Sequence, residues 1–142
     1  MLKTLFFILF LLSITSCIDL AEHEVVPINA NSNGQLFKFG QNKKFALELS
    51  GNPSTGFSWF VTNSDEIKQS NLLTATNLNE KLTGEFVRNN IPDAGFVGVG
   101  GKIYFTFSGN GNGIGLVNIE LEYKRPWEAN SVRKVALKVE LI

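Results

Sequence analysis

Cys17 and His23 are the only thiol and the only imidazole in the 142 residues, and they bound the chemistry open to the chain. A cysteine nucleophile needs a base beside it. Cys17 ends an apolar N-terminal stretch and His23 lies in the polar stretch after it, so nothing aims one at the other. A serine triad would need His23 folded back as general base. Zinc needs three or four Cys, His or carboxylate ligands, and the carboxylates here are scattered; neither a metal nor another cofactor is implied. The glycines of Gly95-Phe96-Val97-Gly98-Val99-Gly100-Gly101 look superficially like a phosphate cradle. Such a cradle needs a helix behind it to aim N–H groups at the anion, and a strand pattern follows instead. The chain therefore reads as a non-enzyme. What remains are side chains suited to contact, in Asn52-Pro53-Ser54-Thr55-Gly56, Gly98-Val99-Gly100-Gly101 and Arg125-Pro126-Trp127.

The elements that must carry these loops read as short strands. Phe45, Leu47 and Leu49 fall on one face of a two-residue alternation, Ile103, Phe105 and Phe107 repeat the pattern, and Val135, Leu137, Val139 and Leu141 share one face. Phe57, Trp59 and Val61 also share a face, with Phe60 opposite, which assigns Trp59 to the core. Gly109 to Gly113 reads as a hairpin-type turn. Ser64 to Leu73 is the best helical candidate and merits one turn at most. Regularly punctuated strands of this kind predict an all-β fold, an immunoglobulin-like antiparallel β-sandwich, with a closed barrel as the alternative.

Lys3 precedes an apolar run from Leu5 to Leu12, and small residues follow. That order is a secretory signal over residues 1–17, and the run is short for a membrane span. Ile14-Thr15-Ser16-Cys17 resembles a bacterial lipobox, in which the cysteine becomes an acylated first residue; an ordinary signal peptide is the alternative. The protein is expected to be exported, either secreted or lipid-anchored at the cell envelope, or routed to the secretory or lysosomal pathway in a eukaryote. Residues 18–34 read as a polar tether and 35–142 as the domain, a monomer. One cysteine allows no internal disulfide, so packing alone must hold the fold. Lys+Arg and Asp+Glu both number 13. Lys3 is the only charge in the leader, so the mature chain is left near neutrality, which argues against nucleic acid as a partner.

In a sandwich, alternate connections collect at one end, and the three over-specified loops are spaced to meet there. NPSTG, GVGG and RPW, in that order on an exported all-β domain, resemble the chagasin family of inhibitors of papain-like cysteine peptidases. The resemblance covers roughly 35–142, with Ser54 where the family usually has threonine. It implies a reversible, non-covalent inhibitor whose three loops fill the active-site cleft of a papain or cathepsin L type peptidase. Asn52, Pro53, Ser54, Thr55 and Gly56 would take the centre, with Thr55 as the leading contact. Gly98, Val99, Gly100 and Gly101 would lie along the substrate side, allowing close backbone approach. Arg125, Pro126 and Trp127 would flank the leaving-group side, Trp127 on an aromatic surface. The alternative from another class is an immunoglobulin-like adhesion or carbohydrate-binding module using the same loops.

Overall fold

Alternate apolar positions decide which segments become strands and which way they face. The computed structural model describes residues 22–76, 84–88 and 100–142. The leader with Cys17, and Gly98 and Val99, lie outside these. The long strands are β3 (Lys44–Gly51), β7 (Gly101–Gly109), β8 (Gly115–Lys124) and β9 (Arg133–Leu141). In β9, Val135, Leu137, Val139 and Leu141 are buried while Ala136 and Lys138 are exposed, as the two-residue period requires. Shorter strands are β1 (Glu24–Pro27), β2 (Leu36–Phe39), β4 (Ser58–Val61), β5 (Leu73–Ala75) and β6 (Glu85–Arg88), with one α-helix among the described residues, α1 (Ser64–Ser70).

Two sheets form, β1-β3-β7-β5 with β6 also paired to β7, and β2-β9-β8-β4. This is the immunoglobulin-like sandwich expected from the strand pattern. Between the sheets, Phe45 stacks on Phe39 at 4.2 Å and on Phe107 at 5.5 Å between ring centroids. Both Phe45 and Phe107 are fully buried, so this stack and the Leu, Ile and Val around it supply the cohesion that no disulfide provides.

The structure corrects three details. Two pairs, β1 with β3 and β2 with β9, run parallel. No hairpin joins the members of either pair; residues 28–35 carry the chain from one sheet to the other, and the crossing sets the direction of both edge strands. Gly109 to Gly113 is likewise not a hairpin turn, because β7 and β8 belong to different sheets. The turn spans the roughly 10 Å between packed sheets. The helix runs to seven residues rather than one turn. Asp65 and Glu66 sit in its first turn, where carboxylates suit the helix dipole. Asn63 Nδ2 donates to Asn118 O at 2.8 Å, Asn63 Oδ1 accepts from Glu120 N at 2.9 Å, and buried Ile67 completes the docking on β8. Tertiary contact lengthens a helix that local periodicity alone would not support.

The reading of 18–34 as a tether also fails over its second half. Val25 pairs with Ala46 and Val26 with Leu47, and Val26 and Ile28 are buried. Asn29 caps the short 3-10 turn Ala30–Ser32: its side chain accepts from Asn31 N at 2.8 Å, and Asn29 N donates to Ser32 Oγ at 3.0 Å. Polar residues in this stretch satisfy a turn rather than solvate a linker. Truncation to residues 35–142 removes two buried side chains worth about 1.5–3 kcal/mol each. The truncated chain is expected to unfold at a clearly lower urea concentration than the chain beginning at residue 22, read by tryptophan fluorescence.

Candidate binding surface

Strand register places the ends of five strands together. Gly51, the last residue of β3, pairs with Gly101, the first of β7. Ser58, the first of β4, pairs with Lys124, the last of β8, and Tyr123 pairs with Arg133 at the start of β9. Asn52–Gly56, Gly100–Gly101 and Arg125–Trp127 consequently emerge at the same end of the sandwich. Gly98 and Val99 lie outside the described residues.

Asn52 organises the first loop. Its side-chain oxygen accepts from Ser54 N at 3.2 Å and from Ser54 Oγ at 2.6 Å, the side-chain mimic of a backbone turn that Asn favours. Pro53 opens a 3-10 turn over Pro53–Thr55, where its fixed φ fits and its missing N–H costs nothing. Thr55 N and Thr55 Oγ1 both donate to Asn52 O, at 3.1 and 2.7 Å. Gly56 N donates to Pro53 O at 2.9 Å. Gly56 then reverses the chain at φ +88°, a region only glycine enters without strain. Pro53, Ser54 and Thr55 are exposed, yet both hydroxyls are bonded inside the loop. Thr55 is therefore exposed on a fixed frame that its own hydroxyl helps to hold.

Arg125 joins this loop to the one after β8. Its guanidinium lies 4.3 Å over the Phe57 ring, its Nε donates to Thr55 O at 3.2 Å, and its Nη1 pairs with Glu128 Oε1 at 3.1 Å. Phe57 in turn stacks on Tyr123 at 5.3 Å, and Tyr123 meets Trp59 at 5.1 Å. Trp59 is buried and donates from Nε1 to Ser50 O at 3.0 Å. An aromatic staircase thus runs from the core to the loop tips. Arg125 belongs to this support, a positioning role that the sequence does not disclose. Trp127 does the opposite. Its indole is 71% exposed, and its edge covers Gly56 so closely that a Cβ there would lie 2.8 Å from Cη2. Pro126 beside it is exposed.

The two described glycines of the remaining loop have different jobs. A Cβ on Gly101 would collide with the Val87 carbonyl oxygen and crowd Phe86 and Arg88, because β6 crosses there. Its missing side chain is required by the fold, because β6 pairs against it. Among the described residues a Cβ on Gly100 would meet Gly51 O alone, at 3.5 Å, an ordinary contact.

Sequence reasoning missed Phe57, Tyr123 and Glu128 as supports. Only the placement of Arg125 two residues beyond Tyr123, with Glu128 three residues further on, hinted at the clasp. Val132 also went unremarked. It is 61% exposed, and its N–H donates to Tyr123 O, which sets it beside the Arg125–Trp127 loop. The groups of this surface are carboxylates, cations and hydroxyls spent on structure. Among the described residues no cluster of three His, Cys, Asp or Glu could hold a metal ion. The arrangement suits contact rather than reaction.

Comparison with known proteins bears on that surface. The model of the chagasin family of peptidase inhibitors, I42, matches residues 38–139. Amoebiasin-1 of Entamoeba histolytica is 33% identical over 103 residues, covering 72% of this chain and 83% of its own. Among solved structures, the cysteine protease inhibitor EhICP2 from Entamoeba histolytica shares the fold, with a TM-score of 0.62 at 19% identity, covering 84% of this chain and 97% of that one. The solution structure of Amebosin gives a TM-score of 0.58 at 27% identity over 84% of this chain and 98% of its own.

The contrast between the glycines is testable. Gly101→Ala is expected to lower stability by about 1–3 kcal/mol through displacement of β6. Gly100→Ala should stay within about 0.5 kcal/mol of the parent. Urea unfolding of both variants checks this.

Proposed function

The chain belongs to the chagasin family of peptidase inhibitors, an inhibitor rather than an enzyme, and from that premise we propose that it blocks papain-like cysteine peptidases by occupying the active-site cleft with three loops. The observation that carries this reading is the Asn52–Gly56 tip, exposed and yet internally bonded at every hydroxyl. A tip already fixed loses little conformational entropy on docking, which is where preorganised binders gain affinity. Its backbone also resists being treated as substrate. A peptide in a cleft is normally held extended, with its main chain offered to the enzyme, whereas Pro53–Thr55 is wound into a 3-10 turn whose amides at Thr55 and Gly56 are already bonded. Reversible binding without cleavage follows.

In this proposal Asn52–Gly56 takes the centre of the cleft and Trp127 stands to one side, with Pro126 and Val132 adjoining it. Gly98, Val99 and Gly100 fill the other side. Arg125 works through Thr55, Phe57 and Glu128, holding the tip and the indole in one arrangement. Family membership displaces the adhesion or carbohydrate-binding alternative.

Export through residues 1–17 belongs to the same proposal. β1 begins at Glu24 and runs parallel to β3, toward the loop end, so a chain acylated at Cys17 would enter its domain from the far end. The loops would then point away from the membrane. Mass spectrometry of the mature N-terminus checks the modification: a thioether-linked lipid on Cys17 supports the tether, and an unmodified terminus leaves plain secretion.

Titration of papain and of cathepsin L with the mature chain should give stoichiometric, reversible loss of activity with the inhibitor intact on a gel. No inhibition at micromolar concentration would overturn the reading. Trp127→Ala is expected to raise the inhibition constant about thirtyfold or more, the roughly 2 kcal/mol typical of an exposed aromatic anchor, with the urea midpoint unchanged.

A further inference from the structure

The formal charges of the chain balance, but the fold separates them. Arg88, Lys102, Lys124, Arg125, Arg133 and Lys134 all lie at the loop ends of their strands, at or next to the pairs Arg88↔Gly101, Ser58↔Lys124 and Tyr123↔Arg133. Only two described carboxylates share that end. Glu128 is taken by Arg125 at 3.1 Å and Glu122 lies 3.9 Å from Lys134. Residues 89–99, which lie outside the described residues, carry a single charge, Asp93. The remaining described residues show the reverse balance, with Glu22, Glu24, Glu48, Asp65, Glu66, Glu85, Glu120 and Glu140 against Lys38, Lys43, Lys44, Lys68 and Lys138. A chain with no net charge therefore carries a dipole, positive where the loops emerge.

Three of these cations are held by the frame. Lys124 lies 5.7 Å over the Phe60 ring, Lys102 donates to Ser50 Oγ at 3.1 Å, and Arg133 lies 5.7 Å over Tyr123. Arg133 and Lys134 further border a recess of about 350 Å3 lined by Leu49, Trp59 and Val135 and by residues of the 28–33 segment that crosses between the sheets. Fixed cations beside a recess with low-dielectric walls focus field at that point.

Resting on the inhibitor reading above, we propose that the loop end is an electrostatic docking face for peptidases whose cleft rim is acidic, with Arg133 and Lys134 as its focus. The face selects among papain-like enzymes by charge around the cleft and speeds encounter. A protein partner fits better than a polyanion. The cations are interspersed with Glu122 and Glu128 and frame a shaped, exposed apolar contact at Trp127, whereas a phosphate lattice or lipid surface calls for an uninterrupted basic stripe. Steered association of this kind appears mainly in the association rate and fades as salt screens it.

Stopped-flow association with two papain-like peptidases chosen for opposite charge around the cleft tests the proposal. With the acidic-rim enzyme the association rate should fall about tenfold between about 20 and about 200 mM salt, and with the basic-rim enzyme it should not fall. The charge reversal Arg133→Glu with Lys134→Glu should lower the rate about tenfold at low salt while the dissociation rate changes less than about threefold. Lys138→Glu, at a distant site on β9, should leave it unchanged. Should the double reversal disturb the fold through Tyr123, Lys134→Glu alone carries the test, since that side chain is 75% exposed. Inhibition that persists with association indifferent to salt and to charge reversal would overturn the docking face and leave the inhibitor reading standing. Heparin or anionic vesicles binding through these residues, with peptidase association unaffected, would overturn it in favour of a polyanion. Loss of inhibition of every peptidase in the parent chain would overturn the reading beneath it, and the docking face with it.

Discussion

Arg125 stands where two loops that are 70 residues apart in sequence have to become one surface. Its guanidinium satisfies three demands at once, stacking on Phe57, donating to the Thr55 carbonyl and pairing with Glu128. A flat, multidonor cation is suited to this because it can lie against a ring while its edge donates in fixed directions; a lysine ammonium could meet one of these demands but not all three. Remove that clasp and the Asn52–Gly56 tip and the Trp127 indole keep their own local turns but lose their shared frame. The partly exposed ion pair within it contributes little to stability by itself; its importance is geometric.

Below Arg125 the constraint passes into the core through aromatic rings. Phe57, Tyr123 and Trp59 lie in successive contact, and Trp59 is anchored to the Ser50 carbonyl on the opposing sheet. The loop that begins after Gly51 is therefore tied at both ends to one rigid element. Rigidity of this kind suits a protein whose task is occupation of a cleft, since a partner that must order a loop at the moment of docking forfeits affinity. The same logic explains why the exposed hydroxyls of Ser54 and Thr55 point inward. Hydroxyls bonded within the tip keep their partners whether the surface is wet or covered, so covering it leaves no donor stranded.

Charge placement follows a different rule from packing. Hydrophobic positions are constrained by the two-residue period and the core, whereas among the cations at the strand ends Arg125 alone is held by a described ion pair closer than 3.5 Å. Six of them collected where the loops emerge, on a chain of zero net charge, is a property of the assembled sandwich alone.

The sandwich of short strands, the assignment of Trp59 to the core and the positions of the turns were legible in the sequence, because a period of two and turn residues such as Pro53, Gly56 and Pro126 express local physics. The family resemblance added the roles of those loops. What the chain alone could not disclose were relations across space. β1 reads as tether because Glu24–Pro27 is short, ends in Pro and lies among polar residues, and only pairing with β3 buries Val26. α1 looked too weak because its support comes from Asn118 and Glu120 on another strand. Gly100 and Gly101 are identical letters, yet β6 pairs against Gly101 so closely that a side chain there would collide with it, while no described residue crowds Gly100. Arg125 reads in the sequence as a contact, and its second role as a clasp is hidden there because Thr55 and Phe57 are brought to it only by closure of the sandwich. Local propensity is written residue by residue; which residue serves the fold and which the surface depends on neighbours that folding alone supplies.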